Sequence, residues 1–315
     1  MSRLLLLFLA VCFSTTAFSQ TQSAIDKTVI DSSVADLLNK MSEKPRQINY
    51  EGVFTYQHKD NPSLQTFRIL HWHEGNMTYD RLQHMNGPIR EITRKAAVND
   101  CESIGDKLRQ GKLPLIGDLV NQMKDYHFEL RNKERIAGRI ATVLLAVPLD
   151  QFRYSYFFSI DDETGLILKV WLVDENAHAM ERYQFTELNL KPDLSQVDDI
   201  PTSGIRKNLP AKSNCVTEAK PANWQLAWVP SGFNFAGEGK PRENLEMLMF
   251  TDGLATFSVF IEPATSGIPE GVAQRGATLA MMTGLEYQKQ LYRVTIVGEI
   301  PVVTAQRVAQ GITHN

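Results

Sequence analysis

The chain has 315 residues, 43% of them hydrophobic, and carries 33 Lys and Arg against 36 Asp and Glu, a formal net charge of −3. Nucleic-acid binding depends on clustered cations that release phosphate counterions, so this balance argues against a nucleic-acid-binding protein. The length and the apolar content allow a sizeable core and two domains, which excludes a disordered chain.

The first residues have the pattern of a secretory signal peptide. Arg3 forms a positive n-region, residues 4–13 are an unbroken apolar run, and residues 17–19 place small side chains where signal peptidase reads them. The run is about half of the roughly 20 residues that span a bilayer, which argues against a retained anchor. We therefore predict a signal peptide over residues 1–19 and export. A lipid anchor at Cys12 is the alternative.

Cleavage would leave Cys101 and Cys215 in a compartment where disulfides form and persist. A bond between them would join the first predicted domain to the linker described below. Their separation along the chain says nothing about distance, and a disulfide needs Cα atoms within about 7 Å. A Cys101–Cys215 disulfide and two separate thiols both stay open.

The first predicted elements are a helix and an antiparallel meander. Apolar residues at helical spacing over 24–41 predict an amphipathic helix that stops at Pro45. From Tyr50 the apolar residues alternate with polar ones, which is typical of half-buried strands separated by turns. The predicted strands are 50–57, 65–74, 77–85 and 89–98.

A Leu-rich helical stretch between Cys101 and Lys124 separates this meander from a second group of strands. The second group is predicted at 126–135, 139–148, 152–160, 166–174 and 181–189. An antiparallel sheet of about nine strands must curl, and helices can then cap its concave face. We predict an α+β fold with such a sheet in a large domain over residues 20–206.

Residues 207–223 contain Pro, Lys and Ser without apolar periodicity, which is typical of a linker. A smaller α+β domain is predicted over 224–315. Its predicted elements are a hairpin of strands 245–250 and 254–261, a mobile loop over 262–276, strands 277–282 and 292–297, and a closing helix over 302–312.

The sequence lacks the common motifs of catalytic and cofactor sites, such as a nucleophile elbow, a His-Glu-x-x-His pair or a phosphate-binding glycine loop. The acidic residues 161–163 are interpreted as a solvated turn, since a calcium loop needs further ligands. His71 and His73 share a strand face near His84, yet no thiol or carboxylate spacing completes a zinc or copper site. We predict no catalytic residue, no metal and no cofactor.

Aromatic residues recur at strand spacing through the predicted sheet. A curled sheet with aromatic residues on its inner face can enclose an apolar cavity for acyl chains, or the same residues can fill a core. Both interpretations stay open from the pattern alone. The lipid-groove candidates are Tyr50, Phe54, Tyr56, Phe67, Tyr79, Tyr154, Tyr156 and Phe158.

Several short segments resemble a known family in the same order along the chain. These segments are 50–54, 85–92, 153–156, 161–166, 228–233, 252–254 and 297–301. They resemble the periplasmic negative regulators of the sigma-E envelope stress response, the RseB/MucB family. The match in order across both predicted domains makes the resemblance specific, although the chain departs from the family over 98–119.

The resemblance implies a two-domain periplasmic protein whose large domain is an unclosed barrel similar to lipoprotein carriers. It implies that the protein binds the periplasmic part of a membrane-spanning anti-sigma factor and shields it from the site-1 protease. Lipopolysaccharide or a related acylated molecule is the implied signal for release. The family offers no catalytic residues, so no enzyme is expected.

In the small domain we predict Asp252, Gly253 and Leu254, at an exposed turn, and the loop over 262–276 as contacts of the partner. A lipid or lipoprotein carrier without an anti-sigma partner is the second hypothesis. A hydrolase is the third, although it would need a nucleophile that the sequence does not reveal. The oligomeric state, including a homo-oligomer, stays open.

Overall fold

A computed structural model describes residues 32–75, 77–88, 90–97, 124–195 and 223–315. The predicted signal peptide, the helical stretch after Cys101, the pair Cys101 and Cys215, and all but the last residue of the predicted linker lie outside the described residues. Within those residues, no helix has both the length and the apolar character needed to cross a membrane.

The first described helix, α1, is Ser32–Glu43, and a 3-10 turn over Lys44–Gln47 follows it. The α-helix thus ends before Pro45, which lies inside the 3-10 turn. Its buried residues recur at helical spacing, with Val34, Leu38 and Met41 exposed by only 3%, 1% and 0%. This face of α1 packs against the large sheet.

A nine-stranded antiparallel sheet follows, in the order β4-β3-β2-β1-β9-β8-β7-β6-β5. Pairing between β1 and β9 joins the two predicted meanders into one sheet. Since β4 and β5 are the two edges and no ladder among the described strands joins them, the sheet is curled but unclosed, as predicted. The strands are β1 (Tyr50–His58), β2 (Asn61–Glu74), β3 (Met77–His84), β4 (Glu91–Ala97), β5 (Tyr126–Ile136), β6 (Arg139–Pro148), β7 (Ser155–Asp161), β8 (Ile167–Val173) and β9 (Ala179–Asn189).

One row of paired residues identifies the inner face of this sheet. Tyr56 pairs with Tyr183, Tyr183 with Val170, Val170 with Phe158, and Phe158 with Leu144. Directly paired residues share a face. Leu144 and Phe158 belong to the hydrophobic cluster that contains the buried residues of α1, so the whole row lies on the face that α1 covers in part.

The predicted seventh strand began at Phe152, whereas β7 begins at Ser155. Phe152, Arg153 and Tyr154 therefore lie outside the ladder. Asp150 accepts the backbone N–H of Phe152 at 2.9 Å, which holds this segment in a turn. Because residues 152–154 are not paired in the sheet, they can contact the C-terminal part of the molecule.

The second sheet has six antiparallel strands in the order β11-β12-β13-β16-β15-β14, beside a two-stranded ladder of β10 and β17. The helix α2 packs on its core through Ala305 and Val308, each 0% exposed. The elements are β10 (Trp224–Leu226), β11 (Asn234–Arg242), β12 (Leu245–Thr251), β13 (Thr256–Ala264), β14 (Gly271–Arg275), β15 (Thr278–Tyr287), β16 (Gln290–Gly298), α2 (Val302–Gln310) and β17 (Ile312–His314).

The prediction of a loop over the whole of 262–276 is wrong. Strand β13 continues to Ala264, and Gly271–Arg275 forms β14, which pairs with β15 from Gly271–Met282 to Arg275–Thr278. Its glycines and prolines predicted an irregular segment, but only residues 265–270 connect the two strands, and Gly276 belongs to the tight turn after β14. Strand β14 thereby places the turn after it against the large sheet.

Candidate functional site at the interface

The molecule has an N-terminal unit, made of the described residues between 32 and 195, and a C-terminal unit, residues 223–315. They meet where several of the segments that carried the resemblance come together, namely 153–156, 228–233, 252–254 and 297–301. Leu254 and Ala277 of the C-terminal unit, 6% and 0% exposed, belong to the same hydrophobic cluster as α1. The units therefore share a packed apolar contact.

A buried ion pair joins Arg153 of the N-terminal unit to Asp252 of the C-terminal unit. Nη1 of Arg153 lies 2.8 Å from Oδ2 of Asp252, and both side chains are 0% exposed. Taking ions out of water costs several kcal/mol for each, so a buried pair is favourable only where other groups satisfy its remaining donors and acceptors. Such groups are present on both sides of the pair.

The guanidinium of Arg153 contacts both units at once. Its Nε and Nη2 lie 3.2 and 3.0 Å from the two carboxylate oxygens of Asp150, and Nη2 also donates to the carbonyl of Ser231. The rings of Tyr126 and Phe233 lie 5.3 and 5.1 Å from Cζ, within the range of cation–π attraction. Asp150 and Tyr126 thus hold the group from one unit, and Ser231 and Phe233 from the other.

The carboxylate of Asp252 is held inside its own turn. Oδ1 accepts the two backbone N–H groups that follow Gly253, at 2.9 and 2.7 Å, and Oδ2 accepts the hydroxyl of Tyr126 at 3.0 Å. Gly253 has a φ of +99°, a conformation that glycine adopts without strain. Burial raises the pKa of Asp252, while Arg153 and these donors oppose the rise.

Gly232 brings its loop close to the same ion pair. Its φ is +80°, and a Cβ added there would lie 2.2 Å from Oδ2 of Asp125 and 3.6 Å from Nη1 of Arg153. Only a residue without a side chain allows this approach without displacing Asp125. The close contact between the units therefore explains why residue 232 is a glycine.

The turn between β14 and β15 makes a second polar contact. The backbone N–H of Gly276 donates to Oδ2 of Asp60 at 2.6 Å, and that of Ala277 donates to Oε1 of Glu181 at 2.9 Å. Gly276 has a φ of +59°, and a Cβ there would lie 2.4 Å from the same oxygen of Glu181. Two carboxylates of the N-terminal unit thus hold the backbone of one tight turn.

The segment that precedes β7 makes a third contact. The hydroxyl of Tyr154 donates to the carbonyl of Ile300 at 3.2 Å and accepts from Nε2 of Gln274 at 3.1 Å. The hydroxyl of Thr304 in α2 donates to the carbonyl of Phe152 at 2.8 Å. Because Phe152 and Tyr154 lie outside the ladder, these groups are available to bind the other unit.

Acidic and phenolic groups gather beside the second contact. Burial, followed by the negative charge of Glu181, raises the pKa of Glu299 from 4.5 to about 7. Burial also raises the pKa of Tyr156, whose buried hydroxyl has no hydrogen-bond partner among the described residues, and Glu299 adds to that rise. Tyr56 hydrogen-bonds Glu181, and Arg275 is the nearby cation that opposes the rise in its pKa. Protonation of Glu299 would relieve repulsion here.

Most lipid-groove candidates lie on the inner face of the large sheet, in two neighbouring clusters. Rings of Phe54 and Phe67 stack with centroids 5.1 Å apart, and both side chains are 8% exposed. The candidates on the inner face are Tyr156 and Phe158 in the cluster with α1, and Phe54, Phe67, Tyr50 and Tyr56 in the second cluster. Tyr154 joins the cluster with α1 from the segment before β7. Their role in binding an acyl chain stays a prediction.

Tyr79 lies on the opposite face, so its assignment to the inner face is wrong. It pairs with Trp72, and the two rings stack 4.9 Å apart. The next residue of β2, His71, pairs with Tyr50 and so belongs to the inner face. Because successive side chains of a strand point to opposite faces, Tyr79 is out of phase by one residue.

The expectation that the turn at Asp252, Gly253 and Leu254 is exposed is also wrong. Asp252 is 0% and Leu254 6% exposed, because Arg153 and Tyr126 of the N-terminal unit cover them. Polar turn residues read as solvated in a sequence, but here they are paired inside the molecule. Their contact with a partner stays a prediction, and in this arrangement the N-terminal unit occupies their surface.

His71 and His73 do lie side by side, with ring centroids 5.1 Å apart. Nδ1 of His71 is 2.6 Å from the carboxylate of Asp80, while His84 pairs with Phe67 further along the sheet. Among the residues that the structure describes, no group of three or more His, Cys, Asp or Glu side chains could hold a metal ion.

Sequence reasoning assigned no role to several interface residues, among them Arg153 and Glu181. Arg153 did carry a signal, since this charged residue stands between Phe152 and Tyr154. Its partner Asp252 is 99 residues away along the chain. No local pattern links residues at that separation.

Comparison with protein families covers both units. Residues 33–203 match the model of the MucB/RseB N-terminal domain, and residues 218–313 match that of the MucB/RseB C-terminal domain. Together these ranges span most of the chain.

Individual relatives agree with the family models. The chain is 33% identical to the sigma factor AlgU regulatory protein MucB of Pseudomonas aeruginosa, covering 88% of this chain and 90% of that protein. It is 27% identical to the sigma-E factor regulatory protein RseB of Haemophilus influenzae, covering 87% and 89%. The solved complex of Pseudomonas aeruginosa MucA and MucB matches at 30% identity with a TM-score of 0.69, covering 90% of this chain and 99% of that one.

Proposed function

Because the chain belongs to the MucB/RseB family, we propose that it is a non-enzymatic regulator that binds the periplasmic part of a membrane-spanning anti-sigma factor. The observation that carries the proposal is the similarity, along nearly the whole chain, to MucB in a structure solved together with MucA. The predicted signal peptide over residues 1–19 supports a periplasmic location. The proposed organisation is a large domain over 20–206, a linker over 207–223 and a small domain over 224–315.

In this proposal, the bound protein shields the anti-sigma factor from regulated proteolysis and releases it when lipopolysaccharide or another acylated molecule binds. A ligand shifts such an equilibrium only if its affinity differs between the two conformations. The interface offers a place for that difference, because residues of both units define it. The proposed partner contacts lie on the C-terminal unit: the docked arrangement leaves most of the stretch 262–276 for the partner, whereas contact through Asp252, Gly253 and Leu254 requires the units to separate.

The acylated ligand is proposed to bind the inner face of the large sheet. The aromatic clusters with Phe54 and Phe158 supply the apolar surface, and α1 covers one of them. The same surface favours the second candidate function, a lipid or lipoprotein carrier without an anti-sigma partner. A carrier would copurify with acyl chains and would not depend on the C-terminal unit.

The test is a titration of the mature protein with the periplasmic segment of the cognate anti-sigma factor, with and without lipopolysaccharide. We expect saturable binding that lipopolysaccharide weakens, and slower cleavage of the bound segment by the site-1 protease. The same titration with a deacylated lipopolysaccharide is the control, and it should leave binding intact. Lack of binding at tens of micromolar protein would contradict the regulator and leave the carrier as the better account.

A further inference from the structure

The Arg153–Asp252 pair is built to fix the two units in one relative orientation. Each partner is held first by its own unit, Arg153 by Asp150 and Asp252 by the backbone N–H groups of its turn. The 2.8 Å contact then joins two groups that are already oriented. Preorganised charged partners lose little side-chain freedom when they meet, so the contact is specific for one docking geometry.

A second ion pair, within one unit, serves as a comparison for the Arg153–Asp252 pair between the units. Arg81 in β3 and Glu91 in β4 form a bidentate contact at 2.6 and 2.9 Å, with the side chains 8% and 17% exposed. Both residues lie in neighbouring strands of the large sheet. Loss of the Arg81–Glu91 pair affects one unit, whereas loss of the Arg153–Asp252 pair affects the contact between two units.

Neutralising Asp252 should destabilise the docked arrangement of the units more than the fold of either unit. With Asp252→Asn, Arg153 keeps Asp150 and the carbonyl of Ser231, but its buried Nη1 loses the carboxylate oxygen that accepted it. A buried charged donor without its acceptor is strongly unfavourable. Separation of the units lets water reach Arg153, which removes that cost. The expected response is therefore that the units part while each keeps its own core.

We propose that Arg153 and Asp252 are positioning residues for the anti-sigma segment, since they hold both units in the orientation that binds it. The inference rests on the proposed function. A segment clamped between two units loses affinity when their orientation is no longer fixed, because binding must then also pay the entropy of ordering them. The pair thus sets partner affinity without being required to touch the partner.

The test uses the full mature protein in three variants: Asp252→Asn, the double variant Arg153→Met with Asp252→Asn, and the control Glu91→Gln. Asparagine keeps the shape of Asp252 and can still accept the N–H groups of its turn. Small-angle X-ray scattering of the free protein reports the separation of the units, and titration with the anti-sigma segment reports affinity. Unfolding curves check that each variant folds.

We expect Asp252→Asn to increase the radius of gyration and to weaken binding by about tenfold or more. The double variant removes both completely buried charges and leaves only Asp150 without its cation, and that side chain is 24% exposed to water, so the double variant should bind no more weakly than the single one. Glu91→Gln should lower stability without changing the radius of gyration or the affinity.

Unchanged scattering of Asp252→Asn would overturn the inference, and so would separated units that bind with wild-type or higher affinity. Failure of the proposed function has a different signature. In that case the wild-type protein does not bind the segment at all, while the scattering experiment still reports whether the pair holds the units together.

Discussion

Two of the polar contacts between the units differ in their chemistry. At the Arg153–Asp252 contact, two side chains of opposite charge meet, both completely buried. At the β14–β15 turn, carboxylates of Asp60 and Glu181 accept backbone N–H groups, with the half-buried acid Glu299 nearby. The first contact is therefore sensitive to loss of charge, whereas the second is sensitive to backbone conformation and to protonation.

The largest expected effect is at the first contact. Arg153→Met leaves the Asp252 carboxylate buried without its cation, and breaking such a pair costs about 3–5 kcal/mol. The amides of Leu254 and Ala255, which bond Asp252, should then exchange with deuterium about a hundredfold faster or more, since each 1.4 kcal/mol is a factor of ten. Unchanged exchange of these amides would show that the pair does not stabilise the docked state.

A pH dependence is expected at the second contact. In the docked protein the pKa of Glu299 is about 7, against 4.5 in water, so the docked state binds the proton more tightly. The stabilisation of docking by protonated Glu299 is complete below about pH 4.5, falls as the pH rises between the two pKa values, and is lost above about pH 7. At about 1.4 kcal/mol per unit, the change in docking free energy is at most roughly 3 kcal/mol, because burial within the C-terminal unit itself supplies part of the shift.

The measurement is the radius of gyration or the unfolding free energy as a function of pH, for the wild type and for Glu299→Gln. The groups that act on the same site are Glu181, Tyr56, Tyr156 and Arg275. The glutamine variant cannot ionise, so the difference between the two proteins isolates Glu299. Parallel pH profiles would refute this assignment.

A smaller effect is expected from Gly276→Ala. A left-handed conformation costs a non-glycine residue about 1–2 kcal/mol, and displacing the Glu181 side chain forfeits a hydrogen bond worth about 1 kcal/mol. We expect the docked state to lose about 2–3 kcal/mol, measured by exchange of the Ala277 amide.

Alanine substitutions at two further glycines distinguish the cost of backbone strain from the cost of the lost contact with Glu181. Gly75 has a φ of +57° with open space around it, so Gly75→Ala measures conformational strain alone. Gly267 has open space and no such conformation, so Gly267→Ala should be nearly neutral. If Gly276→Ala and Gly75→Ala cost the same, contact with Glu181 contributes nothing.

The large sheet could be predicted because its determinants are local. Alternation of apolar residues and short turns placed the meander of β1 to β4 and that of β5 to β9 with small shifts at their ends. The predicted hairpin of β12 and β13 has the same kind of local signal. The strands β10, β11, β14 and β17 were missed. The five residues of β14 are all exposed and show no apolar alternation, β11 contains two glycines and a proline, and β10 and β17 have only three residues each.

The interface could not be predicted, because it depends on residues far apart in the chain. The turn at Asp252 reads as solvated until Arg153 and Tyr126 are placed over it. Phe152 to Tyr154 read as strand residues, and only the hydrogen bond to Asp150 shows that they form a turn. Local pattern thus predicted both sheets in large part, and tertiary contacts decided which polar residues are buried.

The smallest expected effect on stability is at an exposed ion pair within the hairpin of β1 and β2. Arg68 lies 3.4 Å from Glu51 on adjacent strands, with the side chains 46% and 35% exposed. Exposed pairs are screened by water and are worth about 0.2–1 kcal/mol, so Glu51→Gln should lower the unfolding free energy by no more than that. The effect should fade at 1 M salt, where the Debye length is about 3 Å. A loss as large as that of Arg153→Met would mean that burial does not distinguish the pair between the units from a pair on the surface.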